Sequence, residues 1–215
     1  MHTRTLFSAH GMAVLLTAML LLIGGCQRRE RVVVEDADSF RNGDMVLRCG
    51  WGAESRAVVH QSGACYSHIG LLLFDSLAGE WTVLHAVPGE SPQGEPDYLK
   101  REPLSVFFAP DRARCGAWLR IDCTDSVASL AADYCRHKVE QQVLFDNDYL
   151  LADTAELYCC ELVWLAYLRH GIDISDGNRI DVPTAICKEG ECIFPCHIEH
   201  SKSTLFVKPF NTKRS

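Results

Sequence analysis

Leu157-Tyr158-Cys159-Cys160-Glu161-Leu162-Val163-Trp164 is the stretch on which the reading of this chain turns. Apolar residues at Leu162, Val163, Ala166 and Tyr167 keep helical spacing, and Gly171 closes the run as a C-cap. Asp153 or Thr154 is placed to cap the start. Cys159 then falls at or near a helix N-terminus, where unpaired N–H groups and the macrodipole favour negative charge. A thiol there leans toward thiolate, the nucleophilic form. Taken alone, Cys159 is better read as one more small buried apolar residue. The weighing changes with a second stretch far upstream, Tyr66-Ser67-His68-Ile69-Gly70.

Ser67 to Phe74 is a near-continuous apolar run of strand character. Asp75 to Glu80 reads as a turn, and Trp81-Thr82-Val83-Leu84-His85-Ala86 as the return strand of a hairpin. This hairpin carries His68 and His85 back toward the same end of the sheet. Cysteine chemistry needs a thiolate, a base within hydrogen-bond reach and a group that orients the base. His68 suits the base and His85 the orienting group, with Gly70 leaving space beside them. Each has a plainer reading: His68 as a satisfied core or edge histidine, His85 as a surface strand residue.

Outward from these stretches, Arg41-Asn42-Gly43-Asp44 is a turn and Met45 to Cys49 a short strand. Gly50 to Gly63, rich in Gly, Ser and Ala, reads as a loop and a candidate pocket rim. Val87 to about Pro103 is a long loop, and Ser105 to Phe108 and Ala117 to Ile121 are further strands. Thr124-Asp125-Ser126 caps a helix whose apolar face carries Val127, Leu130, Ala131, Tyr134 and Val139. Phe145 to Tyr149 is a loop, the chain is irregular from Gly171 to Pro195, and Thr204 to Val207 is a closing strand. The sum is an α+β fold, a mostly antiparallel sheet with helices packed on one side.

The 215 residues suffice for one domain with a sizeable core, and 47% hydrophobic against 23% charged is ordinary for a globular chain. A formal net charge of -7 argues against nucleic acid as a partner. His2, Arg4 and His10 precede an apolar run from Met12 to Ile23, and Leu22-Ile23-Gly24-Gly25-Cys26 has the small residues before cysteine of a bacterial lipobox. The run is short for a spanning helix and suits a signal segment, residues 1–25, cleaved before a lipidated Cys26. Residues 26–40, charged at Arg28-Arg29-Glu30-Arg31 and Glu35-Asp36, then read as a tether. The domain, residues 41–213, would work in the bacterial cell envelope, held at a membrane and facing the periplasm or exterior. Of eleven cysteines, some are expected to pair in such an oxidising compartment. Cys187, Cys192, Cys196, His197 and His200 form a second cluster that loosely suggests zinc. Lacking a CxxC pair, it reads rather as a disulfide or reduced thiols, so no metal or other cofactor is expected.

Taken in chain order, Gly43-Asp44-Met45-Val46, Ser67-His68-Ile69-Gly70, Val83-Leu84-His85-Ala86, Phe145-Asp146 and Tyr158-Cys159-Cys160-Glu161-Leu162-Val163 resemble one family. It is the circularly permuted branch of the NlpC-like papain-fold hydrolases, of the YiiX/YaeF type, with lecithin retinol acyltransferase as a more distant relative. The resemblance spans roughly Arg41 to Phe210. It implies a circularly permuted papain-like fold in which histidine precedes cysteine. It further implies Cys159 as nucleophile, His68 as general base and His85 as the third, polar residue. Many relatives carry glutamate at that third place, and the retinol acyltransferase branch carries histidine. The family's usual serine after the nucleophile is Cys160 here, and Glu161 matches a family position with a structural role. The implied reaction is acyl transfer from an amide or ester, through a thioester, on a cell-wall peptide or an acyl lipid. The alternative is a binding lipoprotein that keeps the fold without the chemistry.

Overall fold

In the computed structural model, which describes residues 30–151, 154–181 and 190–214, the run after Ser67 is a strand because both of its faces are covered. Strands buried on both sides read as continuous apolar stretches rather than alternating ones. The elements in order are β1 (Glu30–Val33), β2 (Met45–Cys49), α1 (Ala53–Ser62), β3 (His68–Asp75), β4 (Glu80–His85), β5 (Lys100–Pro103), α2 (Leu104–Phe107) and β6 (Cys115–Ile121). There follow α3 (Asp125–Glu140), α4 (Cys159–Leu168), β7 (Ile180–Asp181), β8 (Glu191–Cys192), α5 (Pro195–Glu199), β9 (Thr204–Pro209) and β10 (Asn211–Arg214).

Six strands make one sheet in the order β5-β4-β3-β2-β6-β9, and every neighbouring pair is antiparallel. The fold is α+β with an antiparallel sheet, as expected. Period-2 alternation sends Met45, Leu47, Ile69, Leu71 and Leu119 to one face, where they pack with α3 and α4. Val46, Leu72, Val83 and Trp118 face the other way, against Val32, Phe40, Phe107, Phe108 and Phe210. The long helices share one face, but the four-residue α2 packs on the opposite one, which corrects the expectation of helices on a single side.

Helix α4 is buried all round its first turn, and Cys159, Cys160, Glu161, Leu162, Val163, Ala166 and Tyr167 are all inside, with Trp164 and Leu165 half-buried. Its cap is Tyr158, whose side chain makes no capping bond. Thr154 lies upstream of the cap, and Asp153 lies outside the described residues. The Tyr167 hydroxyl donates to the Gly43 carbonyl at 2.6 Å, tying the helix to the turn before β2. Gly171, at φ 81°, ends the region in the left-handed conformation that glycine takes without penalty.

Several expectations are corrected. Gly50–Gly63 contains helix α1, between Gly52 and a left-handed Gly63 cap whose N–H donates to Val59 at 3.0 Å. No residue of α1 is buried, so the stretch lacks the apolar periodicity that marks a helix. Ser105–Phe108 is not a strand; α2 buries Leu104 and Phe107, an i, i+3 pair that suits one helical turn. Thr124 does cap α3, its hydroxyl accepting from the Val127 N–H at 3.3 Å. The inward face of α3, however, is Ala128, Ala131, Ala132 and Cys135, while Leu130 is 49% exposed. Small residues win because the turn before β2 comes so close that a Cβ on Gly43 would meet the Ala128 carbonyl oxygen at 2.3 Å. Residues 30–40, expected to belong to a tether, are part of the fold. β1 pairs with β10, and Val32 and Phe40 are buried in the core, so the apolar Val32-Val33-Val34 run outweighs the charges around it. The signal segment and Cys26 lie outside the described residues, as does Cys187.

No disulfide joins any two of the described Cys49, Cys65, Cys115, Cys123, Cys135, Cys159, Cys160, Cys192 and Cys196. The pairing expected of an oxidising compartment is not seen among them.

Candidate active site

His68 is the first residue of β3 and sits directly opposite Arg48 on β2. His85 is the last residue of β4. The β3–β4 register pairs Leu71 with Leu84, and one step further places Gly70 across from His85. A Cβ on Gly70 would lie 2.4 Å from Val83 Cγ1 and 3.1 Å from His85 Cβ. The bare glycine is thus what lets the two imidazoles meet across the hairpin, His68 Nε2 to His85 Nδ1 at 2.9 Å. Phe107 covers them: its ring stacks on His68 at 5.6 Å, meets His85 edge-on at 5.2 Å, and lies under the Arg48 guanidinium at 4.5 Å. Its burial is complete, so the aromatic wall excludes water from one side of the pair.

Cys159 enters from the other chain segment as the first residue of α4. Its thiol lies beside His68 in the lining of one cleft, near enough for each to shift the other's titration. Since His68 Nε2 is engaged with His85, the nitrogen that meets the sulfur is Nδ1. The Cys160 sulfur lies 3.9 Å from that of Cys159. The two thiols are driven apart. Cys159 is held well below the usual thiol range by the Cys160 S–H, then by His68 and the Ile69 backbone N–H, against the pull of burial. Cys160 is pushed well above it, first by burial and then by the charge forming on Cys159. His68 is drawn down to about 4, chiefly by burial and further by Arg48 and His85. Drawn to about 4, the free imidazole is uncharged at neutral pH and is a proton acceptor. The neighbouring S–H is the first cause that lowers Cys159, and His68 adds to it.

Behind His85 lies a line of alternating charge. His85 Nε2 is 3.1 Å from Glu102 Oε1. The approach is off the ideal donor line. Glu102 Oε2 accepts from Arg112 at 2.7 Å, Arg112 also bonds Glu90 at 2.9 Å, and Glu90 accepts from Arg48 at 2.6 Å. Arg48 closes the line by donating to the Phe107 carbonyl at 2.8 Å. Two carboxylates and two guanidiniums satisfy one another here, which a low-dielectric site requires. His85 is held well below its ordinary value by burial, then by Arg48, Lys100 and Arg112.

The three predicted residues thus come together, and all are buried: Cys159 at 9%, His68 at 7% and His85 at 0% exposure. His68 and Cys159 line a cleft of about 430 Å³, with His85 behind them. Trp51 and Glu54 from the predicted rim line it, with Tyr149, Tyr158 and Phe194 opposite. Sequence reading missed Arg48, Glu90, Glu102 and Arg112. Only Arg48 left a trace, as a charge on a strand otherwise apolar. Glu161 is fully buried in the first turn of α4, consistent with a structural part. Of the second cluster, Cys187 lies outside the described residues, and His197 Nδ1 accepts from the Phe194 N–H at 3.2 Å. Among the described residues no group of three or more His, Cys, Asp or Glu could hold a metal ion.

No protein-family profile matches this chain, and no curated protein does. Among solved structures it is similar to the crystal structure of the metalloprotein yiiX from Escherichia coli O157:H7, a DUF1105 protein. The two superpose with a TM-score of 0.62 over 81% of this chain and 98% of that one, at 17% sequence identity. At that identity the likeness is one of backbone architecture, and it gives this chain a yiiX-like α+β fold.

Proposed function

We propose that this chain is a cysteine-dependent hydrolase or acyltransferase on a circularly permuted papain-like fold. The observation that carries the reading is that His68 and Cys159 line one cleft while His85 bonds the His68 ring from behind. A buried imidazole pair aimed at a thiol of lowered pKa is the arrangement that nucleophilic catalysis needs.

In this mechanism His68 Nδ1 takes the Cys159 proton as the sulfur attacks an amide or ester carbonyl. The first turn of α4 supplies N–H groups with no helical acceptor, and in this reading that of Cys159 holds the oxyanion. The tetrahedral species collapses with transfer of the His68 proton to the leaving amine or alcohol, leaving an acyl thioester on Cys159. Water, or a second acceptor, then gives its proton to His68 and attacks the thioester. Collapse returns the proton to sulfur and releases the acid or the transferred product. His85 keeps the His68 ring turned toward sulfur throughout.

The substrate class is a peptide-like amide of the cell wall or an acyl lipid, and lipidation of Cys26 would hold the domain at the membrane where both occur. The solved neighbour is described as a metalloprotein, but the described side chains here offer no ligand set for a metal. No step is routed through one.

The test uses p-nitrophenyl acyl esters as probes, with intact-mass measurement of the acyl-enzyme. One acyl group should appear on Cys159, be lost in Cys159→Ser, and form at least ~10²-fold more slowly in His68→Ala. Acylation absent from Cys159, or equal in His68→Ala, would instead make the cleft a binding site on a hydrolase-like scaffold.

A further inference from the structure

We propose that Glu102 is a positioning residue that fixes the tautomers of both histidines, and that the base is therefore built from four residues rather than three. This rests on the reading of Cys159 and His68 as nucleophile and base.

The inference follows from counting protons along the line. An imidazole has two ring nitrogens, and the uncharged form carries one proton. His85 is fully buried, and its Nε2 meets Glu102 Oε1 at 3.1 Å. The approach falls outside strict hydrogen-bond geometry, and neither buried atom bonds to anything else among the described residues. A carboxylate can only accept, so the proton of His85 sits on Nε2. His85 Nδ1 is then a bare acceptor. His68 Nε2, 2.9 Å away, must carry the proton that fills it. His68 Nδ1 is left bare, and it is the nitrogen that faces Cys159. One carboxylate thus dictates, through two rings, that a lone pair points at the thiol.

The surroundings hold Glu102 to this task. β5 pairs with β4 so that Lys100 stands opposite His85 and Glu102 opposite Val83. Two residues along a strand share a face, so Glu102 and His85 lie diagonally on the same side of the sheet. The second carboxylate oxygen is taken by Arg112 at 2.7 Å, which fixes the group in rotation and leaves Oε1 for His85. Arg112 is in turn held by Glu90. When His68 becomes an imidazolium during reaction, the Glu102 carboxylate stands in line with it, one ring away.

Replacing Glu102 by Gln keeps the shape and puts both a donor and an acceptor where there was only an acceptor. If the amide N–H turns to His85, every proton on the line shifts by one nitrogen, and His68 presents N–H to the sulfur. The experiment is long-range ¹⁵N–¹H correlation of the imidazoles, together with the rate of Cys159 alkylation by iodoacetamide against pH. In the unmodified protein both rings should show the Nε2–H pattern. In Glu102→Gln that pattern should be lost or mixed, and alkylation at pH 7 should slow by about tenfold or more. Glu102→Asp, which keeps the acceptor, should recover part of the rate.

Finding Nδ1–H on His85 of the unmodified protein overturns the inference with no variant needed. So does a Glu102→Gln protein with the parental alkylation profile when His68→Ala has lost it. If His68→Ala also keeps the parental profile, the Cys159–His68 reading itself has failed, and the role of Glu102 falls with it.

Discussion

Gly70→Ala is the substitution that most directly probes how the hairpin brings the histidines together. The new methyl carbon would stand 2.4 Å from Val83 Cγ1, 3.1 Å from His85 Cβ and 3.3 Å from the Leu84 carbonyl oxygen. Ordinary contact begins near 3.4 Å, so Val83 must give by about 1 Å (3.4 less 2.4). Val83 is fully buried and cannot swing into solvent. Overpacking of this kind costs about 1–3 kcal/mol. At roughly 2–4 °C per kcal/mol for a domain of this size, the unfolding midpoint should fall by about 2–12 °C. Because His85 is also touched, the His68–His85 bond should lengthen and Cys159 alkylation should slow. Thermal unfolding and alkylation at pH 7 measure the two effects. In a double-mutant cycle, Val83→Ala removes the clashing methyl groups, so Gly70→Ala should cost less on that background than alone. An unchanged midpoint with unchanged alkylation would refute the claim that bare space at residue 70 seats the pair. A fully additive cycle would refute Val83 as the obstacle.

Three further outcomes follow from the same geometry. Asp44 accepts from Arg120 at 2.8 and 2.6 Å and from Trp118 at 2.9 Å with its side chain wholly buried. Asp44→Ala should cost about 3 kcal/mol by chemical denaturation, since it strands those donors; a loss under about 1 kcal/mol would contradict the assignment. Cys160→Ser replaces the neighbouring S–H that holds Cys159 low, and the alkylation midpoint of Cys159 should shift; an identical midpoint would remove Cys160 from the account. Burial draws His68 from 6.5 to about 4, so between these values the unfolded chain binds the extra proton. Stability should be full above pH 6.5 and decline as pH falls toward 4, by on the order of 3 kcal/mol for this group. A midpoint flat across that window, or a parental slope retained by the His68→Ala variant, would contradict it.

The sheet was legible where strands are buried on both faces, because an unbroken apolar run such as Ile69 to Leu73 leaves little else for the chain to do. The hairpin followed from its turn, and with it the approach of His68 to His85. The line behind them was not legible. Glu102 sits on the edge strand β5, inside a stretch whose prolines and glycines read as loop, and its meeting with Arg112 depends on long-range pairing. Helix α1 escaped because none of it is buried, and α2 because one turn carries too little periodicity to tell from a strand. The inward face of α3 was set by the closeness of Gly43 to Ala128, which favours alanine over leucine against hydrophobic ranking. Local pattern reports which segments are buried. It does not report which small or charged residue a distant backbone requires.

The central claim, that Cys159 is an activated nucleophile, is tested most directly by the rate of iodoacetamide alkylation across pH, with the labelled cysteine mapped by mass spectrometry. The account predicts fast modification of Cys159 well below the ~8.5 of a free thiol, ahead of the other cysteines and slowed in His68→Ala. Labelling of Cys159 along an ordinary thiol profile, or first labelling of another cysteine, would contradict it.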